Sequence, residues 1–200
     1  MKLEEKTKKL KKIKDEVVDL DESPLYSYRK DNDYLPVIGE GDHNADLMLI
    51  GEAPGENEAK TGRPFCGRAG QILDEMLEEV GINRKDTYIT NIVKDRPPEN
   101  RDPSQNEITL YGPFLDRQIK IIEPKVIATL GRFSANYLLK KFSFGDKFSI
   151  SKINGEVFEK DELSFIIVPL FHPAATIYTR SRRDDLLSDF KKVKKIINNK

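Results

Sequence analysis

LMLIGEAPGENEAKTGRPFCGRAG, residues 47–70, holds three kinds of structure in succession. Leu47-Met48-Leu49-Ile50 is a short unbroken apolar run, the pattern of a strand buried on both faces. It stops at Gly51-Glu52-Ala53-Pro54-Gly55, where two glycines and a proline enforce a tight turn. A polar loop follows, and then a cluster of small residues, Phe65-Cys66-Gly67-Arg68-Ala69-Gly70. That cluster opens into Gln71-Ile72-Leu73-Asp74-Glu75-Met76-Leu77, whose apolar spacing is helical. The order strand, glycine turn, loop, helix brings backbone N–H groups, a carboxylate and an aromatic ring to the carboxyl edge of a sheet. Open α/β sheets bind their ligands there.

Further strands read outward from this one. Residues 87–93 (TYITNIV), 126–130 (VIATL) and 164–170 (SFIIVPL) are β-branched or apolar runs, and helical patterns separate them. The helices are expected at 2–20, 69–80, 104–122, 132–140 and 183–197. Ser104 with Glu107 forms a capping box, and Gly81 stops the second of these helices. The alternation predicts an α/β fold, a three-layer αβα sandwich with a central four-stranded parallel sheet. Val37-Ile38 reads as a further short strand, and residues 142–158 as a turn and hairpin around Asn154-Gly155. No repeat or linker interrupts the chain, so 1–200 is expected to be a single domain with a charged N-terminal helix over 1–22.

Composition excludes several classes of function. Lys plus Arg and Asp plus Glu are both 34, which gives a net charge of zero. Any contact with nucleic acid must therefore come from a local cluster. A single cysteine supports neither a disulfide framework nor a multi-cysteine metal site. No apolar run reaches membrane-spanning length, and Met1-Lys2-Leu3-Glu4-Glu5-Lys6 lacks the apolar core of a signal peptide. A cytoplasmic monomer is expected. Neither G-x-G-x-x-G nor G-x-x-x-x-G-K-[ST] follows the first strand, which sets generic nucleotide folds aside.

Four stretches together resemble the family-four uracil-DNA glycosylases. Gly51–Gly55 and Gly62–Gly70 match the family's GEAPG and G-x-PF-x-G-x-AG. Thr90–Arg101 (TNIVKDRPPENR) is similar to its TN-x-V-K-C-RPP-x-NR, and His172-Pro173-Ala174-Ala175 to its HPAA. Phe114-Leu115, Gln118-Ile119 and Pro124 follow its FL-x-x-QI-x-x-x-x-P pattern. The likeness spans about residues 36–190.

The resemblance implies an enzyme that flips uracil out of DNA and hydrolyses its N-glycosidic bond, leaving an abasic site. On that reading Phe65 stacks on the base, and the Asn91 amide pairs with uracil N3–H and O4. His172 donates to O2, where charge accumulates as the bond breaks. Glu52 orients water or stabilises the cationic sugar. Glu58 lies near C5, and the backbone of Ala53 and Gly55 completes the pocket. Arg96, Arg101, Arg180 and Arg182 are expected on phosphates, and Ile177, beside Tyr178, as a wedge into the stack. His43 has no comparable context and reads as a surface residue.

One departure is large. Members of that family carry a [4Fe–4S] cluster on four cysteines, and the matching positions here are Leu20, Ser23, Asp95 and Tyr111. A cluster needs several thiolates, so neither a cofactor nor a metal is expected. Two other readings stay open: a weakly active or inactive nucleic-acid-binding relative, and a small-molecule hydrolase. The second of these lacks a nucleophile motif or a metal-ligand set.

Overall fold

Every fully buried apolar run of the sequence becomes a strand of one sheet in the structure, a computed structural model that describes residues 1–177 and 179–199. Tyr178, within the basic stretch singled out above, and Lys200 lie outside the described residues. The strands are β1 (Glu40–Gly41), β2 (Leu47–Gly51), β3 (Thr87–Asn91), β4 (Val126–Leu130) and β5 (Ile166–Leu170). Their spatial order is β1-β3-β2-β4-β5. β2, β3, β4 and β5 are parallel, as expected. The fifth strand, β1, is an antiparallel edge on β3, with Glu40 opposite Ile89. Two residues are too few for a period-two pattern to show in the sequence. Val37 and Ile38 form no strand, but their backbone groups are still used. The Val37 N–H donates to the Lys94 carbonyl at 2.8 Å, and the Ile38 carbonyl accepts from Thr90 Oγ1 at 2.6 Å.

Eight helices are described: α1 (Leu3–Val18), α2 (Tyr26–Asp31), α3 (Glu56–Thr61), α4 (Arg68–Glu79), α5 (Gln105–Ile122), α6 (Arg132–Lys141), α7 (Ile150–Ile153) and α8 (Arg180–Asn199). α2, α3 and α7 are single turns or little more, too short for an apolar period to mark. α4 ends at Glu79 with Val80 as its C-cap, and Gly81 follows with φ 66°, the left-handed stop read from the sequence. The Ser104–Glu107 capping box forms at the start of α5. The expected hairpin over 142–158 does not form. Residues 150–153 coil into α7, Asn154-Gly155 turns the chain, and Phe158 makes one antiparallel bridge to Ile167. Phe142, Phe144, Phe148, Phe158 and Phe165 pack edge-on instead, burying rings where a hairpin would have exposed them.

Alternation along the strands divides the core into two layers. Met48, Ile50, Tyr88 and Ile127 face α1, α5 and α6 through Leu10, Ile13, Leu115 and Leu138. Leu47, Leu49, Ile89 and Ala128 face α4 and α8 through Leu73, Met76, Leu186 and Phe190. Each fully buried Leu, Ile or Phe contributes about 1.5–3 kcal/mol, so both layers help to hold the sheet between them.

A polar knot ties the N-terminal segment to the chain after β3 and to α5. Ser23 Oγ and the Tyr111 hydroxyl are 2.7 Å apart, and that hydroxyl donates to Asp95 Oδ2 at 2.6 Å. Ser23 also accepts from the Leu25 N–H, and Leu20 packs half-buried against the core beside it. The knot also includes Arg29, which no motif of the chain marks. Arg29 is buried, donates to the carbonyls of Val17 and Val18 at 3.2 and 2.6 Å, and sets Nε 3.6 Å from Asp95 Oδ2. Three segments distant in sequence are thus held by hydrogen bonds and one buried ion pair. Tyr111→Phe should leave Ser23 and Asp95 each short of a buried partner. The expected loss, read by denaturant unfolding, is about 1–3 kcal/mol, and an unchanged midpoint would contradict it.

Candidate active site

Parallel registry sets the base of a cleft at the carboxyl edge of the sheet. Gly51 of β2 lies opposite Asn91 of β3, and the side chains of Asn91 and Phe65 crowd the space above Gly51 that a Cβ would need. Only glycine permits that approach. Asn91 is 2 % exposed, with its amide at the cleft wall. Phe65 takes φ 48°, a left-handed conformation that is uncommon for an aromatic residue. Its ring is turned to the cleft and lies 5.7 Å from the His172 ring, centroid to centroid.

The strain at Phe65 is held by Glu58. One oxygen of that carboxylate accepts the N–H groups of Cys66 and Gly67 at 3.0 and 2.9 Å. Glu58 lines the cleft and at the same time fixes the loop that presents Phe65. Gly55 caps α3, which carries Glu58, and Ala53 lines the same wall.

On the far side, Gly131 follows β4 with φ 107° and lets Glu52 and His172 close over it. Glu52 Oε1 accepts the Phe133 N–H at 3.2 Å, at the start of α6, where the helix dipole favours an anion. Burial nevertheless raises the Glu52 carboxyl above its ordinary value, only partly opposed by that bond and by the Arg132 charge. His172 Nδ1 accepts the Ala174 N–H at 3.2 Å, so the ring proton sits on Nε2. Burial lowers its pKa to about 4, against a smaller opposing pull from Glu58. The ring is therefore a neutral donor. Asn154, which the sequence marked only as a turn, supports this strand end by accepting the Phe171 N–H at 2.7 Å.

Glu52, Ala53, Gly55, Glu58, Phe65, Asn91 and His172 thus line one cleft of about 480 Å³. The expected cations separate into two groups. Arg101 lines the cleft and is half-exposed, with its guanidinium forked onto Glu107 at 2.6 and 3.0 Å. Arg180 and Arg182 are exposed at the start of α8, Arg182 over the Phe171 ring, and Ile177 is half-buried before them. Arg96 departs from the expectation. It is 8 % exposed, donates to Asn100 Oδ1 at 2.7 Å and the Tyr34 hydroxyl at 2.6 Å, and sits 3.7 Å from Glu56. It braces the loop in which Glu99 and Asn100 both adopt positive φ, rather than facing a phosphate.

The positions where the resemblance puts cluster ligands do not fit one. Leu20 has no donor atom, and Ser23 Oγ, the Tyr111 hydroxyl and Asp95 Oδ2 are bonded to one another. Iron–sulfur clusters are held by thiolates. Among the described residues, no group of three or more His, Cys, Asp or Glu side chains is placed to hold a metal ion.

Comparison with known proteins matches residues 38–198 to the uracil DNA glycosylase superfamily. A type-4 uracil-DNA glycosylase of Sulfurisphaera tokodaii is 47% identical over 191 residues, covering 94% of this chain and 84% of that protein. The type-4 enzyme of Saccharolobus solfataricus is 43% identical over 94% of this chain and 86% of its own. That of Thermotoga maritima is 44% identical over 80% and 82%.

The neutral imidazole is open to direct measurement. Nitrogen NMR should show His172 with its proton on Nε2 and titrating near 4, not near the ordinary 6.5. Because the folded pKa lies below the unfolded one, the unfolded chain takes up its proton first as pH falls. This residue's contribution to stability should be lost between about 6.5 and about 4, and level out below that. A ring titrating at its ordinary value would refute the assignment.

Proposed function

This chain belongs to the uracil-DNA glycosylase superfamily, and from that premise we propose that it excises uracil from DNA and leaves an abasic site. The observation that carries the reading is the convergence, in one cleft, of an aromatic ring, a carboxamide, a neutral imidazole and an anchored carboxylate. An extruded uracil stacks on Phe65, and the Asn91 amide meets N3–H and O4, a pattern that cytosine inverts. As the C1′–N1 bond breaks, its electron pair passes to the base, and the Nε2–H of His172 donates to O2 where charge gathers. A neutral donor suits this step, since it strengthens its bond as the anion forms without having to give up a proton. Glu52 steadies the cationic sugar and directs a water to C1′. The water's oxygen forms the new bond to C1′, and the proton it sheds ends on the released base.

Arg101, Arg180 and Arg182 are proposed to meet phosphates, with Ile177 as the wedge at the vacated stack. The reading requires no cofactor. The Arg29–Asp95–Tyr111–Ser23 knot takes over the tethering that iron and sulfur give in a cluster-bearing relative. Purified protein should then be colourless, and iron with acid-labile sulfide at about four per chain would disprove this. The enzyme is taken to act as a cytoplasmic monomer, folded as one domain that includes α1.

Uracil-containing and matched thymine-containing oligonucleotides, followed by alkaline cleavage, test the activity. His172→Ala and Asn91→Ala should each slow excision by about tenfold to a thousandfold, the scale of losing one donor to a developing oxyanion. Asn91→Asp should relax discrimination against cytosine. Release of no uracil by the wild type, or full activity in His172→Ala, would defeat the reading.

The acid side of the rate profile should belong to Glu52. Its carboxyl is raised by burial above 4.5, and it works ionised, so the rate should fall as pH drops through that raised value. His172, titrating near 4, is already neutral there. Glu52→Gln should lower the plateau and abolish this acid limb, and a variant that kept the limb would show the assignment to be mistaken.

A further inference from the structure

Lys94 lies behind Asn91 on the face of the sheet that α5 covers, with no solvent exposure at all. Its Nζ donates to the Asn91 carbonyl at 2.5 Å, to Thr90 Oγ1 at 2.8 Å and to Gln118 Oε1 at 2.5 Å. None of these partners is a carboxylate. Each is fixed as an acceptor by the bonds around it. The Thr90 hydroxyl gives its hydrogen to the Ile38 carbonyl at 2.6 Å. The Gln118 amide nitrogen donates to the same carbonyl at 2.8 Å and to the Tyr88 hydroxyl at 3.0 Å, which leaves Oε1 toward Lys94. Tyr88 is itself buried, and its pKa is pushed up, so it stays protonated. Three acceptors match the three N–H bonds of an ammonium, whereas a neutral amine would turn its lone pair onto an oxygen.

Burial works against that charge and draws the lysine pKa well below its ordinary value. A cation among neutral partners would be a costly arrangement for holding together one strand end. The cleft on the other side of Asn91 supplies a use for it. There the leaving base becomes an anion, its two hydrogen-bonding side chains are neutral, and the carboxylates of Glu52 and Glu58 stand nearby. In a poorly screened interior, a charge acts across several ångströms.

We propose that Lys94 is a positioning residue for uracil release, holding the Asn91 backbone and supplying through it the positive field in which the uracil anion departs. The proposal rests on the glycosylase reading above. It makes the selectivity element and the stabilisation of the leaving group one connected unit, Lys94 through Asn91 to the base. It also distinguishes this lysine from the surface cations, whose effect salt would screen.

The test is single-turnover excision of uracil and of 5-fluorouracil from oligonucleotides of one sequence, by wild type, Lys94→Met and Lys94→Gln. Fluorine stabilises the departing anion by itself, so that base depends less on a field from the protein. The variants should lose about tenfold to a hundredfold on uracil and much less on 5-fluorouracil. The ratio is taken within one preparation, so a partly unfolded variant does not alter it. Equal losses on both bases would reduce Lys94 to a structural strut, and an unchanged uracil rate would remove it from the reaction. Should neither variant fold, the lysine side-chain NMR signals of the wild type decide. An ammonium at neutral pH supports the proposal, and a neutral amine overturns it. A wild type that released neither base would instead sink the glycosylase reading itself.

Discussion

When β2 lies parallel between β3 and β4, three segments far apart in the chain are obliged to finish at one edge. That registry does most of the work of building the cleft. It sets Gly51 against Asn91, brings the turn after β2 over the Gly131 turn after β4, and leaves β5 to deliver His172 beside them. No loop has to search for its partner, because the hydrogen-bonded ladders have already placed each strand end. The apolar layers on the two faces keep the sheet in that registry, since a one-residue slip would turn Met48 and Leu49 to the wrong sides.

The chemistry of the cleft depends on burial acting oppositely on two kinds of group. Desolvation raises the Glu52 carboxyl and lowers the His172 imidazole, in each case favouring the uncharged form. For His172 the result is a neutral donor with a defined tautomer. For Glu52 the start of α6 restores part of the lost solvation, so an anion at the cleft wall keeps a backbone donor. The two groups share the Gly131 turn as their floor, and a Cβ there would collide with the Glu52 carboxylate.

The segments around Ser23, Asp95 and Tyr111 are joined to one another by a carboxylate, two hydroxyls and a guanidinium. This knot lies at the junction of α1, the loop after β3 and α5, and not in the cleft. What is needed there is attachment. The loop beyond it carries two successive non-glycine residues at positive φ, Glu99 and Asn100, and Arg96 pins it from inside. A conformation so strained persists only when its surroundings hold it.

Much of this was legible in the chain. Short β-branched or apolar runs, two of them ended by glycine, read as buried strands, and the capping box at Ser104 and the stop at Gly81 are local signals that need no partner. Glu52, Asn91 and His172 could be picked out because each sits in a short motif at a strand end, and Phe65 because it opens the small-residue cluster before α4. What tertiary structure alone decided concerns charged and polar side chains whose partners lie tens of residues away. Arg96 reads as a surface cation until Tyr34 and Glu56 enclose it, Lys94 as one more lysine until Gln118 meets it, and Arg29 carries no mark at all. β1 and the failed hairpin belong with them, since a two-residue edge and a cluster of phenylalanines are settled by what packs against them. Apolar periodicity records which face of an element is buried. It does not record which long polar side chain folds back beneath that face, because burial of a charge is fixed by the acceptors waiting for it, and those come from the rest of the fold.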